Sequence, residues 1–456
     1  KKTDDKKEAD KSDDADNDQE LDGIPERFIG PLLAELVAHE VGHTLGLRHN
    51  FVASSLYTLD EINATEMEGR PLAGSVMDYL PINMTCKDDK GFKHHTMTGV
   101  GPYDMWAIEY GYTIDGDLDK ILARVAEPAL QYGTDQDTMG PDPRARRYDF
   151  SKDPLAYAKS QVELAKYHRA RLLDKFVKEG DSWAKAREGY EMTLSLQTRA
   201  LSMMSNWVGG VYVHRDKKGD KNGRKPLEVV DPDQQRAAMR FVIDNSFSDA
   251  AFDLTPELLQ HLSGDLWMDG ASRLSQSDWP VHDRIMGIQS SALTMLMNPD
   301  TLQLVYDNEL RTPDDQDALT LPELLNSVRD AIWTELEKAP EGTVSARKPW
   351  ISSLRRNLQR EHVDRLIDLN LSDDSFTAAY KPISNLALIQ LQQLRDQTGK
   401  ALEHAKDLDP YSAAHLTEVH QRISKALDAT YTYNGGGSGG SGSIILMLGQ
   451  EKEGQE

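Results

Sequence analysis

At 456 residues, 39% hydrophobic and 28% charged, the chain has the make-up of an ordinary soluble globular protein with room for two or three cores. Its formal net charge of -23 excludes a phosphate-tracking nucleic-acid binder, which needs a basic face from which to release counterions. No apolar run approaches the roughly 20 residues of a membrane span, and a single cysteine, Cys86, excludes an internal disulfide framework.

The chain opens on lysine without a signal-peptide pattern and reads as a processed or truncated piece of a longer precursor. Residues 1–24 form an acidic segment, nearly all charged or small, that cannot bury enough surface to order itself. From Phe28 the character changes. Leu32, Leu33, Leu36, Val37, Val41 and Leu45 recur at helical spacing and predict a helix with a broad apolar face that ends at Gly46.

That helix carries HEVGHTLGLRHN, residues 39–50. His39 and His43 are four apart, so they leave one helical face and can present two imidazole nitrogens to one ion. Zinc takes histidine nitrogen at about 2.0–2.1 Å, and a catalytic zinc site uses three protein ligands and keeps a position for water. A continuing helix would carry residue 49 away from the metal. Gly46 tolerates positive φ, so the helix can stop there and the chain can turn to bring in His49. Glu40 sits beside the first ligand and is placed as a general base rather than as a fourth ligand. A lone HExxH arises by chance in many helices; three histidines, a glutamate and a glycine in fixed register are far more demanding.

Residues 50–100 are irregular and rich in Gly, Pro, Asn and Thr. His94 and His95 lie near Cys86, Asp88 and Asp89, but neighbouring side chains on an extended segment point oppositely, which favours a solvated loop over a second metal site. The run Tyr103–Tyr112 is helical, with Met105, Ile108 and Tyr112 near one face, and is expected to pack into the core. Asp135, Asp137 and Asp142 offer oxygen ligands, yet no EF-hand register is present and an Asp/Gly/Pro turn needs no ion. Long helical patterns follow, interrupted by VGGVYVHRD and KKGDKNGRK, which read as a strand and a basic turn. Trp207, Trp267, Trp279, Trp333 and Trp350 are expected to pack the helical region. Residues 435–443 are a Gly/Ser linker, and 444–456 hold an apolar strand-like segment and an acidic tail. No Ser/His/Asp or Cys/His nucleophile signature and no phosphate-cradling glycine loop is evident.

HEVGHTLGLRH matches the extended signature H-E-x-x-H-x-x-G-x-x-H, so the chain resembles the metzincin metallopeptidases. The resemblance implies a tight turn with methionine beneath the zinc, for which GSVMDYLP supplies Met77 as a soft apolar floor. Tyr79, two residues on, is similar to the SxMxY arrangement of astacins and serralysins, whose tyrosine serves the substrate oxyanion. HEVGHTLGLRHNF, SVMDYLP, YDMWAIEYGY and GTDQDTMGPDPRARRYDFSKDPLAYA extend the likeness to a group of large bacterial zinc-dependent metzincins, from about residue 28 onward. It implies a secreted, periplasmic or cell-envelope peptidase.

The expected fold is mainly α (α+β overall). Residues 25–115 would be the C-terminal part of a metzincin catalytic domain, with the active-site helix and the Met-turn, and 116–434 a large helical domain. Metzincins place a sheet before the active-site helix, and its edge strand pairs with extended substrate. Only 38 residues precede His39, most of them acidic, so that sheet is largely absent from this chain. The N-terminal part of the precursor or a second chain would complete it. The expected reaction is zinc-dependent hydrolysis of protein or peptide substrates. The rivals are a zinc-stabilised binding or scaffold module without a working cleft, and a zinc hydrolase of non-peptide amides.

Overall fold

A computed structural model describes residues 20–64, 69–85, 94–220, 223–265, 277–338, 340, 342–371, 380–428 and the strand pair 432–433 with 444–445. Most of the acidic segment, Cys86, Asp88, Asp89, Trp267, the linker and the tail beyond Ile445 lie outside these residues. The chain divides into two compact units, one made of Lys1–Gly140, Arg144–Tyr157 and Arg215–Arg224, the other of Pro141–Pro143, Ala158–His214 and Lys225–Glu456.

In chain order the first elements are β1 (Glu20–Leu21), β2 (Ile24–Pro25), α1 (Glu26–Thr44), α2 (Leu59–Ile62), α3 (Pro102–Tyr112) and α4 (Leu118–Leu122). They are followed by α5 (Pro154–Arg169), α6 (Ala184–Ser205), β3 (Val211–Val213), β4 (Leu227–Val229), α7 (Pro232–Asp244), α8 (Pro256–His261) and α9 (Val281–Met297). The remainder is α10 (Pro299–Arg311), α11 (Leu321–Ile332), α12 (Ser353–Leu371), α13 (Tyr380–Leu402), α14 (Pro410–Leu427), β5 (Thr432–Tyr433) and β6 (Ile444–Ile445). The fold is mainly α, as the helical patterning predicts. Among the described residues, sheet occurs as antiparallel two-stranded ribbons, β1 with β2, β3 with β4 and β5 with β6. The β3–β4 ribbon is the strand and turn expected at VGGVYVHRD, and it pairs Tyr212 with Glu228.

Several helices of the second unit start on the same local chemistry. Asp231, Asn298 and Asp409 precede Pro232, Pro299 and Pro410, and each side chain accepts from backbone N–H groups of the first turn. A proline at the first helical position gives up a donor that would have no partner, while the cap satisfies the next ones. The helices then bury their apolar stripes: Leu358, Leu366, Ala387, Leu391, Leu416, Val419 and Ile423 are all fully buried where α13 packs on α12 and α14. Trp207, Trp279 and Trp333 are buried as expected, and Trp350 is half-buried. No helix among the described residues is long and apolar enough to cross a membrane.

This unit also buries two neutral histidines. His362 Nδ1 accepts from Trp333 Nε1 at 3.1 Å, and His415 Nε2 meets Gln359 Oε1 at 2.8 Å. Burial, then nearby arginines, push both rings down to about 3. Above about pH 6.5 folded and unfolded chains both hold these rings neutral. Below it the unfolded chain takes up protons that the folded rings refuse until about pH 3, so stability falls through that window. Acidifying from pH 7.5 to 5.5 is expected to cost roughly 1–1.5 kcal/mol per ring, read as a lower urea midpoint. A midpoint that does not move in the His362→Gln, His415→Gln double variant identifies these rings as the source. A shift of wild-type size in that variant rules them out.

Two helices of the first unit expose apolar positions that their spacing marks out. On α1 the expected apolar face is present, but Leu33, Leu36, Val37, Val41 and Leu45 are 43–59% exposed, and the buried positions are His39 and Gly42. On α3, Met105 and Tyr112 are exposed, whereas Asp104 and Trp106 are buried. The reason is polar. Trp106 Nε1 donates to Ile121 O at 2.9 Å inside a small cluster with Leu130, and Asp104 meets donors from two loops, which sets the helix about its axis.

Candidate active site

α1 ends as its glycine dictates. Gly46 lies at φ +90, Gly46 N donates to His43 O at 3.0 Å, and Leu47 N donates to Gly42 O at 3.0 Å. This is the paired bonding of a Schellman turn, which satisfies carbonyls that the helix end leaves over. The chain then returns toward α1, and the rings of His39, His43 and His49 come together with centroids 4.8–5.3 Å apart. One ligand nitrogen from each lies within 4.8 Å of the others.

Each ring uses its Nδ1 elsewhere. His39 Nδ1 donates to Val76 O at 2.8 Å, and His43 Nδ1 donates to Leu47 O at 3.0 Å. A carbonyl oxygen only accepts, so these nitrogens carry the hydrogen and Nε2 keeps its lone pair. His49 Nδ1 lies 3.0 and 3.1 Å from the carboxylate oxygens of Asp135, and its Nε2 is buried with no hydrogen-bond partner. Burial is the main force holding His39 below the ordinary histidine value, and the charges of His43 and His49 act the same way. An all-imidazole donor set with a buried, unpartnered Nε2 fits a borderline metal ion such as zinc.

Under the histidines runs the segment 75–79. Met77 is fully buried, and a Cβ at Gly42 would stand 2.3 Å from its Sδ. Glycine at position 42 is therefore what lets the methionine approach α1. Gly42→Ala is expected to cost about 1–2 kcal/mol, the collision outweighing alanine's better helix propensity. Gly42→Ala with Met77→Ala should recover part of that loss in a melting experiment; simple additivity of the two changes would mean that they do not touch. Asn50 N donates to Met77 O at 3.0 Å, tying the segment to the chain just after His49.

Asp104, at the start of α3, holds the same segment from the other side. It accepts from Ser75 Oγ, from Val76 N at 2.8 Å and from Gly101 N at 2.9 Å. Val76 is the residue whose carbonyl receives His39, so Asp104 reaches the histidine cluster through one peptide unit. Below the turn, burial and then the charge of Asp149 drive Asp78 up, and Ser54 N donates to Asp78 at 2.9 Å.

The Tyr79 ring packs 5.3 Å from His39 and 4.8 Å from His49. Glu40 is exposed on α1 next to His39. The structure thus gathers His39, His43, His49, Met77 and Tyr79 at one place. His95 is engaged elsewhere, against Phe28 and Asn83 O, and among the described residues the three-histidine group is the cluster able to hold a metal. Asp104 was given no role from sequence, and Asp135 was weighed only with Asp137 and Asp142 as an oxygen ligand for calcium, not as a partner of the histidines. Asp104 shows a local signal, a Gly-Pro-x-Asp helix start with Pro at N1 and the acid at N3. Asp135 shows none, since its partner lies 86 residues away.

A family model described as Met-zincin matches residues 22–340, well over half of the chain. No curated protein and no solved structure gives a match.

Proposed function

This chain belongs to the Met-zincin family, and from that premise we propose that it is a zinc-dependent endopeptidase. The single observation that carries the reading is that all three histidines place Nδ1 against neighbouring acceptors while one ligand nitrogen from each ring lies within 4.8 Å of the others. His39, His43 and His49 would hold the zinc ion, which when bound polarises the scissile carbonyl and acidifies water. Glu40 takes a proton from the attacking water as its oxygen adds to the carbonyl carbon. As the C–N bond breaks, Glu40 returns a proton to the leaving amine. Tyr79 offers its phenol to the developing oxyanion. Met77 shapes the floor on which the imidazoles rest.

The exposed apolar stripe on α1 bears on what completes the cleft. Five large aliphatic residues in a row on one helix form a surface of the kind that partners cover. We read it as the seat of the sheet that metzincins place before this helix, supplied by the N-terminal part of the precursor or by a second chain. The same stripe motivates the rival reading of a zinc-stabilised scaffold without a working cleft.

The test is cleavage of casein by the zinc-loaded chain, beside a chelator-treated sample and a longer precursor. Cleavage lost on chelation and restored by zinc supports the peptidase. Cleavage by the longer form alone assigns the cleft to a sheet supplied from outside these residues. Zinc bound with casein intact in both supports the scaffold. In the same assay Tyr79→Phe should lower turnover about tenfold, the worth of one hydrogen bond of ~1.5 kcal/mol to developing charge. Unchanged turnover in that variant removes Tyr79 from the mechanism.

A further inference from the structure

The three imidazoles are not held alike. His39 and His43 donate to backbone carbonyls, whereas His49 faces a carboxylate. That carboxylate is itself fixed. Arg147 Nη2 donates to Asp135 Oδ1 at 3.2 Å, and Arg48 stands 4.0 Å from Oδ2. The backbone leading to Asp135 is pinned along the chain that carries His49. Asn50 Nδ2 donates to Gln131 O at 3.0 Å, Gly133 N donates to Asn50 Oδ1 at 3.1 Å, and Phe51 N donates to Gly133 O at 2.7 Å. Arg147 also lies 4.9 Å over the Phe51 ring, whose centroid is 5.0 Å from that of His49. His49, Asp135, Arg147 and Phe51 therefore close a ring of contacts around one imidazole.

We propose that Asp135 is a positioning residue of the metal centre, whose charge fixes His49 in its Nδ1–H tautomer and so keeps its Nε2 free to face the metal. An imidazole that shares its N–H with a negative charge gives up electron density more readily at the other nitrogen than one leaning on a neutral carbonyl. Asp135 touches neither the ion nor the substrate and acts through His49 alone. His39 and His43 lean on neutral carbonyls instead, so a carboxylate bears directly on the Nδ1 side of His49. The inference rests on the zinc reading above.

The experiment uses the full chain and measures the zinc dissociation constant by competition with a chromophoric chelator. Asp135→Ala is expected to weaken zinc binding on the order of 10–100-fold. Asp135→Asn keeps an acceptor oxygen but no charge, and should fall between Ala and wild type. Asp135→Glu should restore part of the loss. A merely structural role would lower the melting temperature of the metal-free protein without this graded change in affinity, so metal-free melting is recorded beside each titration. Zinc binding within twofold of wild type in both Ala and Asn variants overturns the proposal, as does an Asn variant equal to wild type, which would remove charge from the explanation. If Asp135→Ala does not fold, the near-isosteric Asn variant decides alone. Tight binding by the wild type with no loss in the variants sinks this inference and leaves the zinc site standing; a wild type that binds no zinc sinks both.

Discussion

Replacing Glu40 by glutamine is expected to lower peptide turnover by about 10²–10⁴-fold, the usual contribution of a positioned acid–base group, with equimolar zinc retained. Glutamine matches glutamate in size but cannot accept a proton, so the change removes the chemistry and little else. The contacts that hold the three histidines do not pass through Glu40. The Nδ1 partners of the three histidines are Val76, Leu47 and Asp135, and Glu40 is exposed beside them. Metal analysis and kcat/KM on a fluorogenic peptide, made on one preparation, separate the two roles. Loss of zinc together with activity would show a binding defect, and turnover within threefold of wild type would take Glu40 out of the mechanism.

The histidine cluster was legible because its geometry is local. His39, Glu40, His43, Gly46 and His49 fall within eleven consecutive residues, and their arrangement follows from helical periodicity and a glycine that stops the helix. Met77 was reached through resemblance rather than spacing, and Gly42 shows the physics behind it, since only the absence of a Cβ admits the sulfur. What stayed hidden is held by long-range polar contacts. Nothing in the local pattern of GTDQD announces that Asp135 meets a histidine 86 residues earlier. The face of α3 was misjudged for a related reason: hydrophobic spacing points to Met105 and Tyr112, but a buried carboxylate with several donors outweighs two apolar side chains in setting the helix. On α1 the apolar face was legible and its exposure was not, because periodicity reports which residues seek cover and not whether they find it.

That carboxylate carries the largest expected loss of stability. Asp104 is 2% exposed and receives three donors, Ser75 Oγ on Oδ1 and the amides of Val76 and Gly101 on Oδ2. Burial raises its affinity for a proton more than these donors and the charge of His39 lower it, so the residue sits in a demanding environment. Asp104→Ala leaves three buried donors without acceptors; at about 1–3 kcal/mol for each unsatisfied group, and with partial relaxation, the net loss should be about 3–5 kcal/mol. Asp104→Asn should be much milder, near 1 kcal/mol. Its oxygen can keep both backbone amides, and its NH2 can donate to Ser75 Oγ, which already accepts from Met77 N at 3.0 Å. The size of the alanine loss matters more than the order, because a simple loss of volume gives the same order with Asn nearly neutral and Ala only modest. The effect should reach the metal as well, since the Val76 amide on one side and the Val76 carbonyl on the other connect Asp104 to His39 Nδ1. Urea denaturation with and without zinc measures both. If Asp104→Ala melts like wild type, or is weakened no more than Asp104→Asn, Asp104 does not hold the turn that carries Met77 in place.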